Sequence, residues 1–81
     1  MMTSTLNDRR YSAEICRKRG WTVGTKLIGN KFGELTVIEI TAIGDREILA
    51  KRISDNGQPD FDSESMWNFS YRDWYVFEEN K

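Results

Sequence analysis

No histidine occurs among the 81 residues, and with it go the Ser-His-Asp and Cys-His nucleophilic sites and every metal site that uses imidazole. Cysteine is almost as scarce. Cys16 alone cannot close an internal disulfide, and small domains made for oxidising compartments usually carry several pairs, which points to the cytosol. No segment approaches the roughly 20 apolar residues needed to span a bilayer, and the opening MMTSTLNDRR holds no apolar run of the signal-peptide kind. The expectation is a protein neither exported by that route nor membrane-spanning. Phosphate loops, dinucleotide fingerprints and zinc patterns are also missing from the string. A non-enzyme is therefore expected, with no catalytic residue, metal or cofactor assigned.

What is present suits one small folded domain. A hydrophobic content of 38% beside 31% charged residues lies within the range of globular chains and away from the disordered corner. A chain of this length buries only about 60–65% of the surface its unfolded form exposes, so its core is small. The net charge of -1 hides a split. Residues 1–32 hold seven Lys or Arg against two carboxylates, a net of +5, and residues 33–81 hold five against eleven, a net of -6. Such polarity fits a basic arm for an anionic partner, two halves that attract within the fold, or a self-complementary homo-oligomer.

Residues 1–6 read as a flexible tail and 7–81 as a single domain. NDRRYSAEICRKR (7–19) reads as a basic helix, with Asn7 or Asp8 able to cap its first amides, cations in its last turn and Gly20 as its stop. Tyr11 and Ile15, four apart, would share its narrow apolar face. Strands follow over 21–77. TKLIG (25–29) precedes a loop NKFGE, and LTVIEITAI (35–43) breaks its alternation at Val37 and Ile38, the signature of a strand covered on both faces or of a bulge. Gly44-Asp45 is expected to turn into REILAKRIS, and Asn56-Gly57 is the strongest short hairpin signal in the chain. Five short strands with a sharp turn at Arg72-Asp73-Trp74 before the last lay out a small SH3-like barrel with an N-terminal helix; an open α+β sheet is the other arrangement.

The segment MWNFSYRDWYVF (66–77) holds six of the ten aromatic residues. Read as an alternating strand it places Trp67, Phe69 and Tyr71 on one face, and at least two of them are expected in the core of so small a chain. Stacking aromatics suit single-stranded nucleic acid. However, Arg72 is the only cation between Ile53 and Asn80, and Asp55, Asp60, Asp62, Glu64, Asp73, Glu78 and Glu79 would repel phosphates. Trp74 and Tyr75 cannot both point inward if the strand alternates, so one is left for solvent or a partner. Aromatic residues and Arg dominate protein-protein hot spots, which makes Trp67, Arg72, Asp73, Trp74 and Tyr75 the favoured binding site. The alternative is nucleic-acid binding through Arg9, Arg10, Arg17, Lys18 and Arg19. A third reading sequesters a nucleotide signal against Arg46, Arg52 or Arg72. Asp60, Asp62 and Glu64 alternate as hard-cation ligands would, but without the spacing of a calcium loop. Cys16 among Arg17, Lys18 and Arg19 is either activated by them or simply packed.

The run Trp21-x-Val-Gly-Thr-x-Leu, then VIEITAIG (37–44), ILA (48–50), Asn56-Gly57, Glu64-Ser65-x-Trp67 and Arg72-Asp73-Trp74 resembles a group of small uncharacterised proteins encoded by tailed bacteriophages and prophages. The resemblance covers roughly residues 20–77. It implies a phage accessory protein in the bacterial cytoplasm that acts by binding: blocking a host or defence protein, or sequestering a small signalling molecule.

Overall fold

The computed structural model describes residues 4–59 and 63–77. One α-helix, α1 (Ser12–Arg19), precedes six strands: β1 (Lys26–Lys31), β2 (Glu34–Ile43), β3 (Ile48–Asp55), β4 (Gln58–Pro59), β5 (Ser65–Trp67) and β6 (Asp73–Val76). All pairings are antiparallel. The sheet runs β4-β3-β2-β1-β6, and β5 pairs with the other end of β3. No ladder joins β5 to β6 among the described residues, so the protein is mainly β with an antiparallel sheet not shown closed into the expected barrel. No helix among those residues is long and apolar enough to cross a membrane.

The helix is shorter than its sequence suggests. Asp8 does not cap it; its carboxylate instead accepts from the Arg10 backbone N–H and guanidinium, and Tyr11 becomes the N-cap with no side-chain bond of its own. Tyr11 is consequently outside the helix and half-exposed, with Arg46 5.5 Å over its ring. The buried face is Ser12, Ala13, Ile15 and Cys16. Gly20, left-handed at the C-cap, ends the helix as expected. The helix docks on the β2–β3 connection. Ala13 N–H donates to Arg46 O, the Ser12 hydroxyl accepts from Ile48 N–H, and Arg17 donates to the Gly44 and Asp45 carbonyls. That connection is a four-residue loop closed by Gly44 N–H to Glu47 O, longer than the two-residue turn expected at Gly44-Asp45.

Residues 4–6 are not a free tail. A 3-10 turn at Thr5–Asn7 lays the fully buried Thr5 against β6, where its hydroxyl donates to Arg72 O and accepts from Trp74 N–H. Strand β6 would otherwise offer an unpaired edge, so a single hydroxyl replaces part of a missing strand.

The disruption at Val37/Ile38 is present. Val37 pairs with Ser54 and Ile38 with Arg52, which makes Ile53 of β3 the extra residue; a second shift between Ile40 and Ala42 leaves Thr41 unpaired. Both bulges bend the sheet around its core. Asn56 and Gly57 adopt φ of 51° and 80° between Asp55 and Gln58, which pair, the type I′ hairpin the sequence signals. Ile15, Cys16, Trp21, Leu27, Ile38, Ile40, Ile48, Phe69 and Trp74 fill the core. Four rings run through it edge to face or tilted, Trp21–Phe69 at 5.8 Å, Phe69–Trp74 at 5.8 Å and Trp74–Trp67 at 5.7 Å.

Candidate binding face

The aromatic segment is not one strand. Strand β5 stops at Trp67, the chain bends through 68–72, and β6 begins at Asp73, so the sharp turn falls earlier than Arg72-Asp73-Trp74. Phe69 is buried and Trp67 packs against the core, whereas Tyr71 leaves the bend 70% exposed. Two of the three aromatics thus serve the core, as expected. Of the next pair, Trp74 points inward with 1% exposure and Tyr75 outward. Of the pair whose orientation the sequence left open, Trp74 is therefore the core residue, so of the two only Tyr75 offers its ring to a partner. Opposite Gly29 in the β1–β6 ladder, the Trp74 ring occupies the space a Cβ would take, 2.8 Å from three ring carbons.

Four of the five expected site residues divide between two hollows that share Tyr71, and Tyr75 lines neither. Trp67, Arg72 and Trp74, with Met66, Asn68 and Tyr71, line a small cavity of ≈ 150 Å³. Asp73 belongs to a neighbouring groove of ≈ 400 Å³ with Leu6, Lys31, Phe32 and Tyr71. Ser4 and Tyr75 donate hydroxyl bonds to the Asp73 carboxylate. Partial burial opposes its ionisation, but those two bonds, a backbone bond from Thr5 and the charge of Arg19 together hold its pKa below the ordinary value. The same contact with Asp73 raises the Tyr75 phenol.

Sequence reasoning passed over Phe32. It forms the tip of the β1–β2 hairpin with Gly33, at φ of 52° and 87°, flanked by the pair Lys31 and Glu34. This is a second type I′ turn, in which the first central position favours Asn, Asp or Gly. A bulky residue there is an outlier in backbone terms, and Phe32 is also 98% exposed. The available signal was the spacing Asn30-Lys31-Phe32-Gly33, in which the Asn30 side-chain oxygen accepts from Gly33 N–H.

The basic segment is largely occupied. Arg10 pairs with Asp8, Arg17 holds the β2–β3 loop, and Arg19 lies 5.3 Å over Trp21; Arg9 and Lys18 are exposed. Arg46 is over Tyr11, and the cavity lined by Arg72 includes neither Arg46 nor Arg52. Burial pushes the Cys16 thiol up to about 11, against the lowering effect of Arg17, so it is a packed residue rather than a nucleophile. Asp60 and Asp62 lie outside the described residues. Glu64 accepts from the Thr41 hydroxyl, and no cluster of metal-ligating side chains occurs among the described residues.

No curated protein and no solved structure matches the chain. A family model described as Domain of unknown function (DUF7241) matches residues 10–79, and the chain belongs to that family.

Proposed function

We propose that the protein is a non-enzymatic binding module, a phage-encoded accessory protein that docks on a bacterial host or defence protein in the cytoplasm and inhibits it. The docking face is the groove of Leu6, Phe32 and Tyr71, with Tyr75 exposed on the adjoining strand. The observation that carries this reading is Phe32. A large aromatic is held in water on a backbone conformation that suits Asn or Gly, a cost to the fold of the kind found at binding sites. Exposed aromatic anchors beside Lys31 and Arg72 have the composition of an interface hot spot. We further propose that the sheet curls into an SH3-like barrel. Its order β6-β1-β2-β3-β5, the two bulges and the close approach of Trp67 to Trp74 support that curvature.

The reading is tested by capture. A tagged protein is expected to retain a host protein from nuclease-treated bacterial lysate at high salt, and Tyr71→Ala is expected to release it while the thermal midpoint stays within a few degrees. Retention that depends on nucleic acid and vanishes with salt would instead point to Arg9 and Lys18.

A further inference from the structure

Three side chains around the smaller cavity share a condition that Trp21 shows singly elsewhere. Trp67 Nε1, Arg72 Nε and Trp74 Nε1 are sealed from solvent and meet no hydrogen-bond acceptor among the described residues, and all three residues line the same ≈ 150 Å³ space. Indole and guanidinium N–H groups only donate. A buried donor without an acceptor is costly, and native proteins leave few such groups. Three on residues that line one cavity are therefore a local excess of donors, sealed behind its wall, which an acceptor that reaches them would correct.

The chemistry of the acceptor follows from the set. Two neutral N–H groups and one carried by a cation favour an anionic oxygen over a carbonyl, because charge-assisted bonds are roughly twice as strong. The volume is below the roughly 300–1,000 Å³ of pockets that enclose drug-sized ligands, so it fits one functional group and not a nucleotide. Tyr71 is common to this cavity and to the aromatic groove, and Met66 and Tyr71, both exposed, form its rim. A ligand that puts an apolar ring on Phe32 and Tyr71 could therefore reach the donors with an adjacent acidic group.

We infer that the cavity bounded by Trp67, Arg72 and Trp74 is a carboxylate-binding site, and that the carboxylate belongs to an acidic side chain next to an aromatic residue in the partner. The second half rests on the docking reading above; the site itself does not.

The test uses the indole signals of the uniformly 15N-labelled full chain. Trp21, Trp67 and Trp74 are its three tryptophans, and Trp21 Nε1, also unpartnered but away from this cavity, is the internal control. Titration with sodium acetate against matched sodium chloride is expected to move the Trp67 and Trp74 indole and Arg72 Nε–H signals along a saturating curve. Trp21 should stay still, and acetamide should be much weaker. Arg72→Gln should weaken acetate about 10- to 100-fold, and Trp67→Phe, which keeps a ring and removes one donor, provides a second variant if the first unfolds. No movement, or equal movement of Trp21, would overturn the site. Acetyl-Glu-Tyr-amide should bind about tenfold more tightly than acetate and lose that gain in Phe32→Asn. Equal affinity of the two probes would overturn the acidic-peptide half, while capture in the Tyr71→Ala experiment would still decide the docking reading.

Discussion

Replacing Gly29 by Ala is expected to destabilise the protein, although the opposite sign is usual for such a change. A Gly→Ala substitution at an ordinary backbone position stabilises by about 0.4–1 kcal/mol through the unfolded chain, and Gly29 has no positive φ to forbid it. Its Cβ, however, would sit 2.8 Å from three carbons of the Trp74 ring, where carbon contacts prefer about 3.5–4.0 Å. The ring has to retreat by roughly 1 Å. It is 1% exposed and wedged between Phe69 and Trp67, with centroids 5.8 and 5.7 Å away. Overpacking of this kind costs about 1–3 kcal/mol, which for a domain of this size lowers Tm by roughly 5–20 °C. Thermal and urea unfolding followed by tryptophan fluorescence would measure it. Trp74→Phe frees space on that side, so the double variant should lose less than the two single losses added together. A Gly29→Ala protein as stable as the parent, or an additive pair, would refute the account of this contact.

Two other expectations concern titrating groups. The side-chain bond from Arg10 brings Asp8 from 3.8 to about 2, partial burial opposing. A carboxylate with a depressed folded-state pKa contributes stability that is complete above its unfolded value and lost as pH falls. Urea midpoints should therefore decline between pH 4 and pH 2, and less steeply in Asp8→Asn; parallel declines would remove the pair from the account. Cys16, pushed up to about 11, should resist iodoacetamide at pH 7.5 in the native protein and react once denaturant opens the fold, whereas prompt native labelling would mean the thiol is not packed.

How far the sequence could be read depended on whether the signal was local. Asn56-Gly57 and Gly20 act through their own backbone, and β1, β2 and β3 through β-branched periodicity, so each appears close to where the pattern put it. The doubled apolar pair Val37-Ile38 signalled either a strand covered on both faces or a bulge, and the residue that yields is Ile53 on the neighbouring strand, which only pairing determines. The aromatic segment misled because alternation continues through 68–72 where the chain bends; burial of Phe69 beside Trp21 prevails over strand periodicity there. Thr5 carries no sign of its part in covering β6, since its partners lie 67 and 69 residues away. Trp67, Arg72 and Trp74 were legible as site candidates by residue type, yet their common property, N–H groups without acceptors, exists only in the folded chain.

The most direct measurement pairs stability with capture in Phe32→Asn. Asn tolerates the left-handed conformation that Phe32 holds at φ 52°, relief worth about 1 kcal/mol, and Phe32 has no core contact to lose at 98% exposure. A binding face maintained against the fold's own preference predicts a variant with an equal or higher unfolding midpoint that no longer retains the partner held by the parent protein. A variant that retains it undiminished, or that is destabilised by the change, would contradict the claim that Phe32 is held at the hairpin tip for binding.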